Sequence, residues 1–432
     1  MSVSLKSISD LRRKPFIKNT GWIIFERVYQ MVVSLFVGLY TARYLGPSNF
    51  GIINYVTAFI AFATPVCALG MDGVVVKALV DKTADEGRII GTSIIMRFAA
   101  GLASAIVIIA IVAITNPGSQ VHLIIALLLS VGVLFRSIEI IEFWYQSKLR
   151  SKTASIVKVI GYTVMSLYRV ALLMLNMSVE WFAFATSLDI LVIAVLYLVL
   201  FKKHCKAPLK WDWPLGRSLL RGSYHFMLSG VVVVLYSQMD KILIKEILKS
   251  EAQVGLYSAA NTICSLWFFI PVAIIGSARP VIMALKKTDE KAYLRRLKQL
   301  YSVIAWSGIL VSVVFTVFSK LIIQILYGAD YAGAASVLAI MGWYGVFAQL
   351  GLARGIWILC ENKNKYVKMY TVWGVVVNVS MNLLLLPRIG ILGSGIATLA
   401  AQITVCLVAP LFYKETRVNT KLILESFVFK WN

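Results

Sequence analysis

The chain of 432 residues is 59% hydrophobic and only 15% charged, and its mean hydropathy is +0.81. Soluble domains contain about 25% charged residues, so this composition excludes a soluble enzyme, whose surface it could not cover. A transmembrane helix needs about 20 apolar residues, so the chain has enough of them for about a dozen. The net charge of +23 comes mostly from short Lys and Arg clusters between apolar segments. Nucleic-acid binding needs a basic face on a soluble fold instead, so no nucleic-acid partner is expected.

Apolar windows separated by polar or Gly/Pro breaks predict twelve transmembrane helices. In chain order they are Asn19–Ala42, Phe50–Gly70, Ile89–Ile114, Val121–Tyr145, Ser155–Leu175, Trp181–Phe201, Leu219–Ile247, Val254–Ala278, Leu300–Tyr327, Gly333–Leu359, Tyr366–Leu386 and Leu392–Phe412. The predicted fold class is therefore an all-α polytopic membrane protein.

The loop charges predict its orientation. Basic residues cluster in the even-numbered loops, such as Lys202–Arg221, and in both terminal tails, which contain Lys6, Arg12, Arg13, Lys14 and Lys18, and Lys414, Arg417, Lys421 and Lys430. The opposite loops carry only Arg43, Lys245, Lys249 and Arg388. By the positive-inside rule, both termini and the even-numbered loops are cytoplasmic. The apolar run after Lys18 is too long for a signal-peptide core, so it is expected to remain as the first span.

A weak internal repeat predicts two six-helix lobes. Trp144, Lys152, Gly161 and Leu172 of the first half recur at the same spacing as Trp357, Lys365, Gly374 and Leu385. The predicted lobes are residues 1–207, with helices 1–6, and residues 208–432, with helices 7–12 and a short cytoplasmic tail. Repeated halves are common in transporters, although any two polytopic segments align to some extent.

Three arginines lie at one depth in the first half. Arg27 and Arg97 follow the cytoplasmic start of their spans by eight residues, and Arg136 precedes a cytoplasmic end by nine. At about 1.5 Å per residue, all three lie roughly 12–14 Å inside the boundary. A shared layer suggests a shared anionic ligand, because an ionisable group at this depth normally faces protein or water. The alternative is internal ion pairing, for which Glu26, Glu139 and Glu142 are suitably spaced.

Further polar residues recur at helical spacing. Lys158, Tyr162, Ser166 and Arg169 share one face of the fifth span. Lys158 and Arg169 are candidates for the same substrate-binding site as the three arginines, and Arg354 is a candidate from the second half. Similar stripes in the second half are Asn261/Ser265, Asn378/Asn382 and Ser394/Thr398/Gln402, which could bind sugar hydroxyls or join helices. Asp240-Lys241 could be an ion pair, an ion-coupling site or a polar cap, and Asp189 is a second candidate for ion coupling.

The cysteines and histidines give no sign of a metal site. The five cysteines are scattered singly without a CxxC pair, and the three histidines lack metal-ligand spacing. No metal, haem or other cofactor is expected.

Four motifs carry a resemblance to a known family. They are Ala42-Arg43-Tyr44-Leu45-Gly46-Pro47-Ser48-Asn49-Phe50-Gly51, Asp240-Lys241-Ile242-Leu243-Ile244, Val254-Gly255-Leu256-Tyr257-Ser258-Ala259-Ala260 and Gly390-Ile391-Leu392-Gly393-Ser394-Gly395-Ile396-Ala397. Together with twelve spans, they resemble the Wzx-type polysaccharide repeat-unit flippases of the MOP exporter superfamily, over essentially the whole chain.

The resemblance implies a bacterial inner-membrane protein with a V-shaped pair of lobes, a cationic lumen and alternating access. Its implied substrate is an undecaprenyl-diphosphate-linked oligosaccharide, such as an O-antigen unit of lipopolysaccharide, moved from the cytoplasmic to the periplasmic leaflet. Implied partners are H⁺ or Na⁺ as coupling ion, membrane lipids, a polysaccharide polymerase and a chain-length regulator. Lipid II flippases and multidrug exporters of the superfamily are alternatives. Lipid II flippases usually have fourteen spans and an acidic residue in the loop where this chain has Gly46–Gly51. Multidrug exporters often have a coupling carboxylate in the first span, where this chain has Glu26 beside Arg27. These departures favour the polysaccharide flippases over both alternatives.

An alternative of another class is a membrane polymerase or glycosyltransferase. Such enzymes display catalytic groups on a sizeable loop, whereas every predicted outer loop is only about five to ten residues long. The cytoplasmic loops contain no phosphate-cradling G-x-x-x-x-G-K-[ST] motif. The sequence therefore favours a transporter.

Overall fold

The computed structural model describes residues 15–205 and 207–428, and within these ranges the regular elements are helices without a strand. Several basic residues used to predict the orientation lie outside the described residues, and the side chain of Lys18 is not described. The residues outside are Lys6, Arg12, Arg13, Lys14, Lys206 and Lys430.

The helices follow one another through short connections. In chain order they are α1 Pro15–Ala68, α2 Asp72–Val80, α3 Glu86–Thr115, α4 Gln120–Phe135, α5 Ile140–Ser147, α6 Ser151–Met174, α7 Val179–His204, α8 Trp213–Leu248, α9 Glu251–Leu266, α10 Phe269–Thr288, α11 Glu290–Leu326, α12 Ala334–Met341, α13 Tyr344–Cys360, α14 Lys365–Ile389, α15 Ile391–Ile403, α16 Ala409–Leu411 and α17 Arg417–Ser426. Two 3₁₀ turns, Arg136–Glu139 and Ala329–Tyr331, and a π-helical turn, Thr404–Val408, connect some of them.

Eleven helical segments of the described residues are long and apolar enough to cross a membrane. The first of them contains two of the predicted spans. Helix α1 has 54 residues and leaves helical geometry at Gly46, whose φ is +68°. At about 1.5 Å per residue, the two parts on either side of Gly46 have a combined length of roughly 80 Å, enough for two crossings of the ~30 Å apolar core of a bilayer. The prediction of an all-α fold with twelve membrane-spanning helices is confirmed.

The structure adds breaks and short helices that hydropathy did not predict. Helices α2 and α17 contain nine and ten residues, too few to span a bilayer. The predicted fourth span contains the 3₁₀ turn at Arg136–Glu139, and the predicted eighth span breaks at Trp267–Phe268. A hydropathy window of about 19 residues averages over such short breaks.

The chain divides into two compact units. The first contains the described residues up to Leu45 and Val56–Val231. Its core is built around the aromatic side chains Trp144, Tyr145, Tyr197 and Phe201, all of them buried.

The segment that precedes α8 packs closely on α3 within the first unit. The backbone N–H of Lys210 donates to the Gly87 carbonyl at 3.2 Å, and Arg88 forms an ion pair with Asp212. A Cβ atom on Gly87 or Gly91 would overlap the backbone of this segment. Glycine is required here because two backbones approach each other.

The second unit contains Gly46–Tyr55 and the described residues from Val232 onward. A core cluster of this unit includes Tyr293, Tyr301, Trp357 and Tyr370. Residues 46–55 therefore cluster with the second unit and 208–231 with the first, while the predicted lobes 1–207 and 208–432 themselves stay a prediction.

Candidate functional site

A cluster of paired charges lies in the first unit. Four of the five basic residues predicted for a site in this half have a carboxylate partner. The pairs are Arg97 with Asp72, Lys158 Nζ with Glu142 Oε1 at 2.7 Å, Arg136 Nη1 with Glu139 Oε2 at 3.9 Å, and Arg169 Nη2 with Asp189 Oδ2 at 3.8 Å. The fifth, Arg27, has an exposed side chain beside the buried Glu26.

Arg97 and Arg136 lie in the same region of the first unit. Both lie in the electrostatic environment of Cys67 and of Glu139. The Cys67 thiol lies 3.5 Å from the carbonyl oxygens of Arg97 and Val133, so α1, α3 and α4 pack together at this point. The structure thus brings two of the three arginines of the predicted layer into one neighbourhood.

Glu26 connects α1 to the remaining charges. Its carboxylate interacts electrostatically with Lys158, Glu142 and Arg27. One helical turn further along α1, the Tyr29 hydroxyl lies 2.6 Å from the Thr163 hydroxyl of α6. Carboxylates and cations from α1, α5 and α6 therefore face a common region.

The four pairs differ in strength. The 2.7 Å pair of Lys158 is a charge-assisted hydrogen bond, whereas 3.8 and 3.9 Å are too long for one. Among the described residues, the buried Arg136 Nε and Asp189 Oδ1 have no hydrogen-bond partner. Arg136 therefore keeps an unused donor, and Arg169 has only a long 3.8 Å contact with Asp189. An anion with several oxygens could use the donors of both guanidinium groups.

A second site surrounds Asp240 on α8 in the second unit. Asn378 Nδ2 and Asn382 Nδ2 of α14 donate to Asp240 Oδ1 at 3.0 and 2.8 Å. The hydroxyls of Tyr257 and Thr398 donate to Oδ2 at 2.7 and 2.9 Å. The polar stripes of α14 and α15 therefore converge on one buried carboxylate.

The oxygen atoms of this site suit a small hard cation. Asn382 Oδ1 is buried without a donor among the described residues, and the Ser394 carbonyl lies within reach of the Thr398 hydroxyl at 3.0 Å. Carboxylate, amide, hydroxyl and carbonyl oxygens are typical ligands of hard cations. Rotation of the amides would turn their oxygens toward such an ion. The neighbouring Lys241 places its Nζ 3.5 Å from Asn54 Oδ1.

Arg354 makes contacts of a structural kind. From α13 it donates to the carbonyl oxygens of Val405 and Cys406 at 2.8 and 3.1 Å, and its guanidinium stacks 4.7 Å from the Tyr370 ring centre. Both carbonyls belong to the π-helical turn Thr404–Val408, where the regular i→i−4 pattern is interrupted. Arg354 therefore stabilises a distorted helix inside the second unit.

The sequence missed three partners at these sites. Asp72, Tyr257 and Asn54 were not singled out, because the contact that each makes with a charged side chain depends on which helices are neighbours in the fold. Asp72 did carry a signal, since an acidic residue directly before the apolar run Gly73–Val76 is typical of a helix N-terminus. No group of three or more His, Cys, Asp or Glu that could hold a metal occurs in residues 15–205 and 207–428.

The fold is that of transporters of the MOP superfamily. The solved structure of the lipid II flippase MurJ in an inward closed conformation is similar, with a TM-score of 0.68 and 15% identity, over 95% of this chain and 90% of that one. At this identity the likeness defines the fold alone.

Residues 16–286 match the family model described as polysaccharide biosynthesis protein. The chain belongs to this family. Two Haloferax volcanii proteins are similar in sequence. The probable flippase AglR is 22% identical over 87% of this chain and 78% of its own length. The probable low-salt glycan biosynthesis flippase Agl15 is 25% identical over 42% of this chain, and the match spans only 39% of that relative.

Proposed function

We propose that the chain is a flippase that moves an undecaprenyl-diphosphate-linked oligosaccharide, an O-antigen or other surface-polysaccharide repeat unit, from the cytoplasmic to the periplasmic leaflet of a bacterial inner membrane by alternating access. Family membership and the names of the relatives support transport of a lipid-linked glycan. The relatives are archaeal, so the bacterial membrane and the undecaprenyl carrier rest on the motif resemblance. The observation that carries the proposal is the cluster of paired cations in the first unit.

The pairing of these cations gives the site a way to bind and release a diphosphate. Carboxylates neutralise four of the basic groups in the structure, so burial of unpaired charge is avoided. A diphosphate offers several oxygens to the forked guanidinium groups of Arg136 and Arg169, whose present pairs are the longest. Arg27 is exposed and adds a further cation. Exchange of carboxylate for diphosphate partners changes little net free energy, which favours turnover.

The test is restoration of surface polysaccharide in a flippase-null strain at equal membrane protein levels. Arg136→Ala is expected to abolish export, and Arg136→Lys to keep part of it, because lysine retains charge but not the bidentate fork. The double variant Arg136→Ala, Glu139→Ala separates binding from pairing, since it removes both members of the pair. Continued loss of export supports binding. Full export by this variant, or by Arg97→Ala, Arg136→Ala, would mean that the charges are structural. Lys203→Ala, an exposed change on α7, is the matched control.

We propose further that Asp240 is the coupling site for Na⁺ or H⁺, with Asp189 as the second candidate. Four neutral donors around Asp240 are a suitable environment for a carboxylate that exchanges a cation. Asp189 lies 3.8 Å from the Arg169 guanidinium instead, so a cationic side chain already stands beside it. The geometry therefore supports Asp240 more strongly.

Thermal unfolding of the purified chain tests this site. Added Na⁺ is expected to raise the melting temperature relative to choline, because a ligand that binds only the folded state stabilises it. Asp240→Asn should abolish this shift, whereas the exposed Asp81→Asn should not. A shift with lowered pH but not with Na⁺ would assign H⁺. If Asp240→Asn and Asp189→Asn both leave transport and its ion dependence unchanged, the coupling proposal fails.

The polymerase and glycosyltransferase alternative has no support from the described residues. The connections Asn116–Ser119 and Leu175–Ser178 are turns of a few residues, too short to display a catalytic group over a sugar. We therefore propose a transporter that supplies substrate to a separate polymerase with its chain-length regulator.

A further inference from the structure

A basic cavity lies between α11 and α17 in the second unit, away from both sites above. It has a volume of about 680 Å³ and is open to the surface, and its lining contains four basic side chains. The full lining is Asp289, Lys291, Ala292, Leu294, Arg295, Arg296, Lys298, Gln299 and Leu422. Asp289 is the one carboxylate among the described residues that line it.

The charges of this cavity are poorly balanced. Asp289 already caps α11, because its Oδ1 accepts a hydrogen bond from Ala292 N at 2.9 Å. Lys298 is neutralised by Glu425 Oε2 of α17 at 2.6 Å. The side chains of Lys291, Arg295 and Arg296 are exposed and leave the cavity cationic. An anion is the ligand that these groups would attract.

The same face of α11 continues as an exposed apolar surface. At 100° per residue, Arg295, Val303, Trp306 and Leu310 point to one side within about 80°. Val303, Trp306 and Leu310 are 50%, 42% and 67% exposed. At about 1.5 Å per residue they lie roughly 12–22 Å along the helix from Arg295. A basic cavity followed by an exposed apolar helix face complements the phosphate and the acyl chains of a phospholipid.

Helix α17, beside the cavity, has the surface of a helix that lies at a membrane interface. Its inner face is fixed to α11, since Asn419 Nδ2 donates to the Tyr301 hydroxyl at 2.8 Å and the Ser302 hydroxyl donates to the Ser426 carbonyl at 2.8 Å. Its outer face exposes Val418 and Leu424 together with Arg417 and Lys421. Mixed apolar and basic exposure is typical of a helix lying in the lipid interface.

We propose that this cavity binds the phosphate headgroup of an anionic phospholipid of the surrounding bilayer, with the acyl chains along the exposed face of α11. Basic cavities at the cytoplasmic ends of transmembrane helices are suited to such headgroups. The lipid is a resident ligand rather than the transported molecule. The inference rests on the membrane placement of the chain and not on its transport substrate.

Native mass spectrometry of the full chain in detergent tests the proposal. Phosphatidylglycerol is titrated against phosphatidylcholine with the same acyl chains, and binding of the first is expected to be tighter. The variant Arg295→Gln, Arg296→Gln should bind phosphatidylglycerol about 25-fold more weakly, at roughly fivefold per surface cation. Lys202→Gln, Lys203→Gln removes the same charge at exposed positions of α7 and should bind as the parent does.

Each other outcome would overturn the proposal. Equal binding of the two lipids, or unchanged binding by the Arg295/Arg296 variant, would show that the cavity does not select an anionic lipid. Displacement of phosphatidylglycerol by equimolar inorganic phosphate or pyrophosphate would identify a site for free anions. Lys291→Gln, a single exposed change, provides a second variant should the double variant lose its fold. Transport is measured separately, so failure here leaves the proposed flippase activity intact.

Discussion

At the scale of single residues, the Arg97–Asp72 pair is asymmetric. The Arg97 side chain is 2% exposed, whereas that of Asp72 is 49% exposed. Loss of the aspartate leaves a buried cation without its partner, but loss of the arginine leaves a carboxylate that water can solvate. Removal of Asp72 is therefore expected to destabilise the fold more than removal of Arg97.

Asp72→Asn should lower the free energy of unfolding by about 3 kcal/mol, the lower end for breaking a buried pair. Arg97→Gln should cost clearly less. If Arg97 binds substrate, the double variant Arg97→Gln, Asp72→Asn recovers thermal stability but not export. Denaturation in detergent and surface-polysaccharide restoration measure the two effects. Recovery of export together with stability would show that Arg97 serves only the fold.

Only part of the site could be predicted from the residues. Because burying a charge in a membrane is costly, Arg97, Arg136 and Arg169 were recognised as candidate functional residues. The same argument left internal ion pairing as the alternative to binding an anionic ligand. Helical spacing brought out Asn378/Asn382, but not that they meet Asp240, which depends on contacts between α8 and α14. For the same reason Arg354 gave no sign that backbone carbonyls of a π-helical turn would use its donors.

At the scale of helices, two motif glycines allow close packing in the second unit. A Cβ atom on Gly255 of α9 would overlap the Pro47 carbonyl, and a Cβ on Gly51 would overlap the Glu251 carbonyl. The motifs at Gly46–Gly51 and Val254–Ala260 thus pack against each other. Their glycines are explained by packing, whatever the transported substrate.

Gly255→Ala should therefore lower the free energy of unfolding by about 3 kcal/mol, the upper end of the range for overpacked cores. The reason is that backbone atoms rather than a flexible side chain must move. Gly276→Ala on α10 is the matched control, since no atom lies within 4 Å of its added Cβ. That change should be neutral or stabilise by about 0.5–1 kcal/mol. Thermal unfolding and protein level in the membrane measure both. Equal behaviour of the two variants would contradict the packing account.

At the scale of the whole molecule, hydropathy was sufficient for the fold class. Twelve apolar runs predicted the spans. The predicted Gly333–Leu359 corresponds to α12 and α13 together, which begin at Ala334 and end at Cys360, and α14 begins and ends within a few residues of the predicted Tyr366–Leu386. The bilayer imposes this regularity, because each crossing needs similar length and internal hydrogen bonding. The hydropathy pattern did not predict the short helices α2 and α17, because they do not cross the bilayer and this constraint does not apply to them.

Loop charge gives a topology that labelling can check. A cysteine at Lys210, exposed before α8, should react with a membrane-impermeant maleimide only after the cells are permeabilised. A cysteine at Asn176, exposed between α6 and α7, should react in intact cells. The reverse pattern would invert the orientation and with it the proposed direction of transport.

The central claim is that the chain itself moves a diphosphate-linked glycan lipid across a membrane. The most direct measurement reconstitutes the purified protein into liposomes that contain a labelled lipid-linked oligosaccharide in both leaflets, and then adds an impermeant glycan-cleaving enzyme. With active protein, nearly all of the label should be cleaved, because inner-leaflet lipid is delivered to the outside. With no protein, or with the Arg136→Ala variant, only the outer-leaflet half should be cleaved. Cleavage of only that half with the parent protein would contradict the proposed flippase activity.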